Sequence, residues 1–290
     1  MTARGPARNA PEALAEPEPA RREPAGKVRP GIGDAALAAR LGRELEGEVL
    51  FDPFSRGRYA TDASHYQIEP VGVVVPRTTE DVVRAIQIAG EEGVAVLPRG
   101  GGTSQCGQTV GRALVVDVSK YLDAVLDFDP EGRRITVQPG LVLDRLNAFL
   151  RPHGLFFPVD PSTSSRATLG GMAANNSCGA HSIRYGIMRD NVRSIEALLA
   201  DGGRLRFGDA RARRDGEPPT PNQRRLIEAL LALGEREAGE TARRFPKLMR
   251  RVGGYNIDAL AGDSPNLAHL LVGSEGTLAF FTGLELDLQP

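Results

Sequence analysis

A short apolar run at residues 94–97 leads straight into Pro98-Arg99-Gly100-Gly101-Gly102-Thr103-Ser104, and no other stretch limits the fold as much. Three successive residues without Cβ atoms let the backbone turn so that its N–H groups face one concavity, which suits phosphate oxygens. Thr103 and Ser104 add hydroxyl donors, and Arg99 offers either charge or a brace for the loop. Two familiar phosphate loops fail on spacing. A Walker A loop needs a lysine after its second glycine, and no lysine lies between Lys27 and Lys120. The Rossmann pattern needs glycine at 105, where this chain has Gln105. A glycine run alone also fits a plain chain-reversing turn, so both readings stay open here.

The flanking pattern places this loop in a layered fold. Residues 71–75 are a β-branched run ending at Pro76, the mark of a buried strand. Thr78 with Asp81 starts a helix that carries Val82, Ile86 and Ala89 on one face and stops at Gly93. Residues 94–97 follow as a strand, giving a β-α-β unit. Residues 37–45 repeat leucine every four positions and predict a short helix. Further strands are expected at 114–118, 135–138, 267–272 and 278–288, with helices at 141–150, 222–233 and 235–244. Asp201-Gly202-Gly203 between two alternating runs predicts a hairpin. The order of elements implies an α+β fold. Residues 1–30, rich in Ala, Pro, Glu and Arg, are read as a disordered tail. Residues 31–65 then form a helix and lead-in to the main domain at 66–290.

A second segment sharpens the reading of the loop. Residues 161–179 are almost all small: Pro161-Ser162-Thr163-Ser164-Ser165-Arg166-Ala167-Thr168-Leu169-Gly170-Gly171-Met172-Ala173-Ala174-Asn175-Asn176-Ser177-Cys178-Gly179. A helix of Gly and Ala offers little apolar area to a core, but it lets a ligand lie against backbone. With Thr168 as its cap, the N–H groups of Leu169, Gly170 and Gly171 are expected to face a ligand and favour negative charge. Asn175 and Asn176 are expected to hydrogen-bond the edge of a heterocycle.

These two motifs, followed by Ile183-Arg184-Tyr185-Gly186, Gly254-Tyr255-Asn256 and Val272-Gly273-Ser274-Glu275-Gly276-Thr277-Leu278, resemble the vanillyl-alcohol oxidase/p-cresol methylhydroxylase (PCMH-type) flavoproteins. The likeness extends over residues 60–290 and is greatest to the branch that oxidises D-lactate, D-2-hydroxyglutarate or glycolate. Tyr59-Ala60-Thr61-Asp62-Ala63-Ser64 is similar to the subgroup joined to a C-terminal iron–sulfur region. The resemblance implies two α+β subdomains with FAD between them. It implies that the loop of Arg99, Gly100, Gly101, Gly102, Thr103 and Ser104 holds the pyrophosphate, with Gly107 and Gln108 also binding the cofactor. Pro161, Ser162, Thr168, Gly170, Gly171, Ala174, Asn175, Asn176, Cys178 and Gly179 would line the flavin and adenosine portions, Tyr185 and Gly186 would also bind the cofactor, and Glu275 and Gly276 would close the adenine or ribose side. Where some relatives attach flavin through a histidine this chain has Thr103, so FAD is expected to be non-covalent. The family's substrate-binding and catalytic groups lie in a following domain that would begin at Pro290, and no catalytic residue carries over.

Composition narrows the remaining options. A formal net charge of −1 gives no field for nucleic acid. No apolar run reaches the roughly 18 residues of a membrane span, and the N-terminus has no apolar signal core, so a cytoplasmic protein is expected, with peripheral attachment at the inner membrane as a variant. Two cysteines, Cys106 and Cys178, cannot hold an iron–sulfur cluster alone; such a centre would belong to a partner region. The electron acceptor is not encoded in any motif. His65, His153, His181 and His269 form no metal-binding spacing. His181 is read either as an exposed loop residue or as a base near the flavin, and His269 as a structural residue in a strand. The run at 211–214 and the other arginines alternate with acids and read as solvated surface.

Overall fold

The computed structural model describes residues 29–210 and 218–290. The predicted tail up to residue 28 and the basic run at 211–214 lie outside the described residues.

The first layer starts with α1 (Ala35–Glu44), where Asp34 accepts the Leu37 N–H at 2.8 Å and Leu37 and Leu41 face inward. β1 (Glu48–Leu50) and α2 (Pro53–Tyr59) follow, then β2 (Gly72–Val75), whose four residues are all buried. The Thr78 hydroxyl caps α3 (Thr79–Glu92) by accepting the Asp81 N–H at 3.1 Å. Gly93, at φ 69°, ends that helix in the left-handed region glycine tolerates. β3 (Val96–Arg99) and β4 (Leu114–Asp117) complete a sheet of order β1-β2-β4-β3, in which β2, β4 and β3 run parallel. β1, from the lead-in at 31–65, adds to β2 antiparallel.

The second layer is antiparallel. It comprises β5 (Val125–Asp129), β6 (Arg134–Val137), α4 (Leu143–Leu150), α5 (Leu169–Ala174), α6 (Ser182–Tyr185), β7 (Val192–Leu198), β8 (Arg204–Phe207), α7 (Pro221–Arg244), α8 (Ala268–Leu271) and β9 (Phe280–Asp287). Its strands lie in the order β5-β6-β9-β7-β8. β9 is thus the central strand, paired with β6 on one side and β7 on the other. The main core lies beneath this sheet, where Ile135, Ile195, Leu284 and Leu286 meet Leu146 of α4 and Leu169 and Met172 of α5. A smaller cluster joins the layers: Val82 of α3 and Val116 of β4 pack with Leu198 of β7 and Phe280 of β9.

Two sequence expectations are corrected. Residues 267–272 form the short helix α8 in place of a strand; a brief run buried on all sides carries no period to separate the two. The helices expected at 222–233 and 235–244 are one, α7. Gly234 does not break it. The glycine lies where the helix crosses residue 260, and a Cβ there would come within 2.6 Å of the Leu260 Cβ. Among the described residues, no helix is long and apolar enough to cross a membrane.

Candidate functional site

Between the layers lies a cavity holding about 1080 Å³ of empty space, open mouth included. The loop after β3 forms one wall, α5 and the residues before it another, and Glu275, Gly276 and the start of β9 a third.

The loop is clamped by the protein around it. A Cβ on Gly100 would collide with the Thr168 hydroxyl, and one on Gly101 with the Arg166 carbonyl oxygen. The first two glycines therefore bring the loop against the segment that opens α5. Gly102, at φ 64°, makes the turn. The Arg99 guanidinium donates to the Thr61 oxygen at 2.9 Å and the Thr109 oxygen at 3.0 Å, and lies over the Tyr59 ring. Of its two expected roles the structure gives it the brace. Burial lowers its pKa, against the opposing pull of Asp117 and Asp62, and it remains a cation. Tyr59 donates to Asp117 Oδ2 at 2.7 Å; burial, then that carboxylate, push the phenol's pKa up. Ala63 N–H donates to the Gly102 oxygen at 3.0 Å, and Thr109 Oγ1 to Asp62 at 2.8 Å. The segment 59–64 is thus the buttress behind the loop. With the carbonyls engaged in this way, the N–H groups of Gly101, Gly102, Thr103 and Ser104 have no protein acceptor among the described residues.

The start of α5 differs from expectation. Its N–H groups do not face a ligand: Leu169 donates to the Leu141 oxygen at 2.9 Å, Gly170 to the Pro139 oxygen at 2.8 Å, and Gly171 to the Thr168 hydroxyl at 3.4 Å. The small residues serve close packing, since a Cβ on Gly170 would stand 2.6 Å from that of Pro139. The free donors are those of the loop.

The cavity brings together Arg99, Gly100, Gly101, Gly102, Thr103, Ser104 and Gln108 from the first motif. Pro161, Thr168, Gly170, Gly171, Ala174 and Asn175 join them from the second, and Glu275 and Gly276 from the last. Asn175 ties the motifs together, donating to Ser104 Oγ at 3.0 Å and accepting from Gln108 Nε2 at 3.0 Å. Gly276, at φ 77°, would touch Pro98 with any Cβ, at 3.1 Å.

Gly107, Ser162, Asn176, Cys178, Gly179, Tyr185 and Gly186 do not line this cavity. Asn176 is fully buried at φ 50°, and its Oδ1 accepts the Arg189 N–H at 3.0 Å. It braces a neighbouring turn and presents no edge to the cavity. Gly107 adopts φ 78° against the Tyr66 ring. Tyr185 stands edge-on to Phe156, ring centres 5.7 Å apart. His181 is exposed with Nδ1 3.4 Å from Asp160 Oδ2, and it too is outside the cavity lining.

Sequence reasoning missed Pro139, Met172, Phe280 and Phe281 as lining residues. Each reads as ordinary core or turn, and only the meeting of β6, α5 and β9 gathers them.

His269 is structural, as expected, though in α8 and not in a strand. Its Nε2 lies 3.1 Å from the Val192 oxygen. Burial lowers its pKa below the ordinary 6.5, partly opposed by that hydrogen bond. Protonation therefore favours the unfolded chain. The stability it confers is complete above pH 6.5 and declines as pH falls towards the folded-state pKa. In urea unfolding at pH 5 and pH 7.5, His269→Gln should show a smaller pH difference than the parent; an equal difference would refute this.

Residues 70–208 match the FAD binding domain family. The chain carries an FAD-binding domain of the PCMH type, and FAD is its cofactor. This flavoprotein domain is 38% identical over 253 residues to a D-2-hydroxyglutarate dehydrogenase of Pantoea ananatis, covering 84% of this chain and 25% of the relative. Identity to the Escherichia coli enzyme of that name is 35% over 281 residues, covering 89% and 26%. A glycolate oxidase subunit of Bacillus subtilis is 32% identical over 252 residues, covering 85% and 43%. The chain thus spans about a quarter of the length of these dehydrogenases. Among solved structures, an alkyldihydroxyacetonephosphate synthase aligns with a TM-score of 0.62 at 20% identity, covering 88% of this chain and 43% of that one. That likeness concerns the fold.

Proposed function

We propose that this domain is the flavin-holding part of an FAD-dependent oxidoreductase acting on a 2-hydroxy acid such as D-2-hydroxyglutarate, D-lactate or glycolate. The observation that carries the reading is the row of N–H groups at Gly101, Gly102, Thr103 and Ser104, which have no protein acceptor among the described residues and belong to residues lining a cavity closed by α5 and β9. A pyrophosphate offers the acceptors these donors lack, and clustered N–H groups stabilise its charge without a lysine. Attachment is proposed to be non-covalent, with Thr103 where some relatives carry a histidine. When bound, FAD supplies the hydride acceptor; the chain's own residues bind and orient it. The choice of hydroxy acid rests on the names of the relatives.

A second polypeptide region, carrying the substrate groups, belongs to the same proposal. Ile183, Leu248 and Met249 are exposed by 70%, 67% and 72%, and the Arg250 bond to the Gly179 oxygen at 3.3 Å brings their two segments together. Exposed apolar side chains in such a group favour a covering partner. An iron–sulfur centre would lie in that region, and a cytoplasmic location fits the same reading.

The test is a visible spectrum of the purified chain followed by heat release of its dye. Flavin absorbance with all colour released as FAD supports the proposal. A colourless chain that takes up no added FAD would overturn it. Turnover of the three hydroxy acids by the isolated chain, with an artificial dye as acceptor, would show that no second region is needed.

A further inference from the structure

A second hollow lies away from the loop, beside the strap of residues 245–251 that follows α7. It holds about 920 Å³ of empty space, open mouth included, and Arg189, Lys247, Arg251, Asp190 and Asp258 line it. Its acids are already engaged. Asp258 serves two guanidiniums at once, accepting from Arg251 Nη2 at 2.6 Å and from Arg189 Nη1 at 3.3 Å. Asp190 Oδ2 accepts the Ile187 N–H at 2.9 Å, and its Oδ1 lies 3.5 Å from Arg189 Nε. Asn256 Oδ1 accepts from the same Arg189 and Arg251 nitrogens at 3.2 Å and 3.4 Å. Its orientation is set, because its amide donates to the His269 and Val272 oxygens. Three cations thus share two carboxylates.

Arg251 has donors to spare. Its side chain is only 14% exposed and lies over the Phe245 ring, 4.5 Å from the centre. All its hydrogen bonds to described residues use Nη2; Nε and Nη1 make none, and neither is sealed off from solvent. Lys247 has no acidic partner among the described residues. The chain from 241 to 257 carries Arg243, Arg244, Lys247, Arg250 and Arg251 and no Asp or Glu, so the strap supplies no counter-charge of its own. Unmet donors on a largely desolvated cation cost stability, and an incoming anion offsets that cost. The remaining wall is apolar, with Ile187, Phe245, Leu248 and Met249. We propose that this hollow binds a small organic carboxylate, its anionic end on Arg251 and Lys247 and its hydrocarbon part against Phe245, Leu248 and Met249. The cations select a carboxylate over a neutral alcohol, and the apolar wall selects a chain of several carbons over acetate. The hollow shares no lining residue with the first cavity, so it takes its ligand whether or not FAD is bound.

The experiment is isothermal titration of the full chain with hexanoate, hexanol, acetate and inorganic phosphate. Hexanoate should bind with a Kd of about 1 mM or tighter. Hexanol, which lacks the charge, and acetate, which lacks the chain, should each bind at least about tenfold more weakly. Lys247→Glu changes an exposed side chain, so the melting temperature and FAD content should stay those of the parent while hexanoate binding falls at least about tenfold. Arg251→Lys keeps a charge for Asp258 and removes the spare donors, and should lose a similar factor. The proposal fails if the parent takes up no hexanoate, if hexanol or acetate binds as tightly, or if Lys247→Glu binds hexanoate like the parent. Phosphate binding more tightly than hexanoate would make this a plain anion site and strike the carboxylate class. Hexanoate bound by a chain that takes up no FAD leaves this site standing and removes only the cofactor reading of the first cavity.

Discussion

Gly101→Ala should strip the domain of FAD while leaving a folded chain. The added methyl would sit within contact distance of the Arg166 carbonyl oxygen and 3.1 Å from its carbon. That carbonyl belongs to a backbone held on both sides, with Arg166 N–H bonded to the Thr163 oxygen and Ala167 N–H to the same oxygen, each at 2.8 Å. The loop must therefore give way. Overpacking of this kind costs about 1–3 kcal/mol of stability, which the main core under the second sheet should survive. Binding suffers more, because the donors at Gly101, Gly102, Thr103 and Ser104 move as a group. Losing two charge-assisted hydrogen bonds at about 1.5–3 kcal/mol each implies at least a hundredfold weaker binding. Fluorescence titration with FAD beside a urea melt separates the two effects; unchanged affinity would mean that the loop does not hold the pyrophosphate.

Arg99→Ala should have the opposite balance, with stability falling first. The guanidinium holds the Thr61 and Thr109 carbonyls from the inside, and its positive charge lies near Asp117 and Asp62. Alanine leaves two carbonyls without their Arg99 donors and removes a positive charge near both carboxylates. A loss of about 3 kcal/mol or more is expected in urea unfolding. Arg99→Lys should recover only part of it, since one ammonium cannot present the forked donors that reach both carbonyls. Full stability in Arg99→Lys would show that charge alone matters, and would refute the brace.

These two residues also mark what was legible beforehand. The glycine run and its strand were legible as a place of close backbone approach, and Gly100 and Gly101 do lie against Thr168 and Arg166, but the run alone did not separate a phosphate loop from a plain turn. The strand at β2, the capped helix α3 and the β7–β8 hairpin were readable from local chemistry: a β-branched run, Thr78 with Gly93, and Asp201-Gly202-Gly203. The donors at the start of α5 were misassigned because the sequence cannot reveal that Leu141 and Pro139 arrive to accept them. Asn176 was grouped with Asn175 as its neighbour, yet its φ of 50° turns it away from the cavity. β5 escaped notice as a half-exposed edge strand with no alternating pattern, and β1 because three residues carry too little period to detect.

The position of β9 has a bearing on how the domain comes into being. It is the last strand in chain order and the middle one in space, with β6 and β7 on its flanks. Until it threads between them, the hairpins β5–β6 and β7–β8 expose unpaired edges to one another, and the cavity has no third wall. Pairings so distant along the chain form slowly because loop closure precedes any gain. On the proposed reading, a chain lacking β9 would offer a flavin no third wall, and its open edges would be prone to pairing with those of its neighbours.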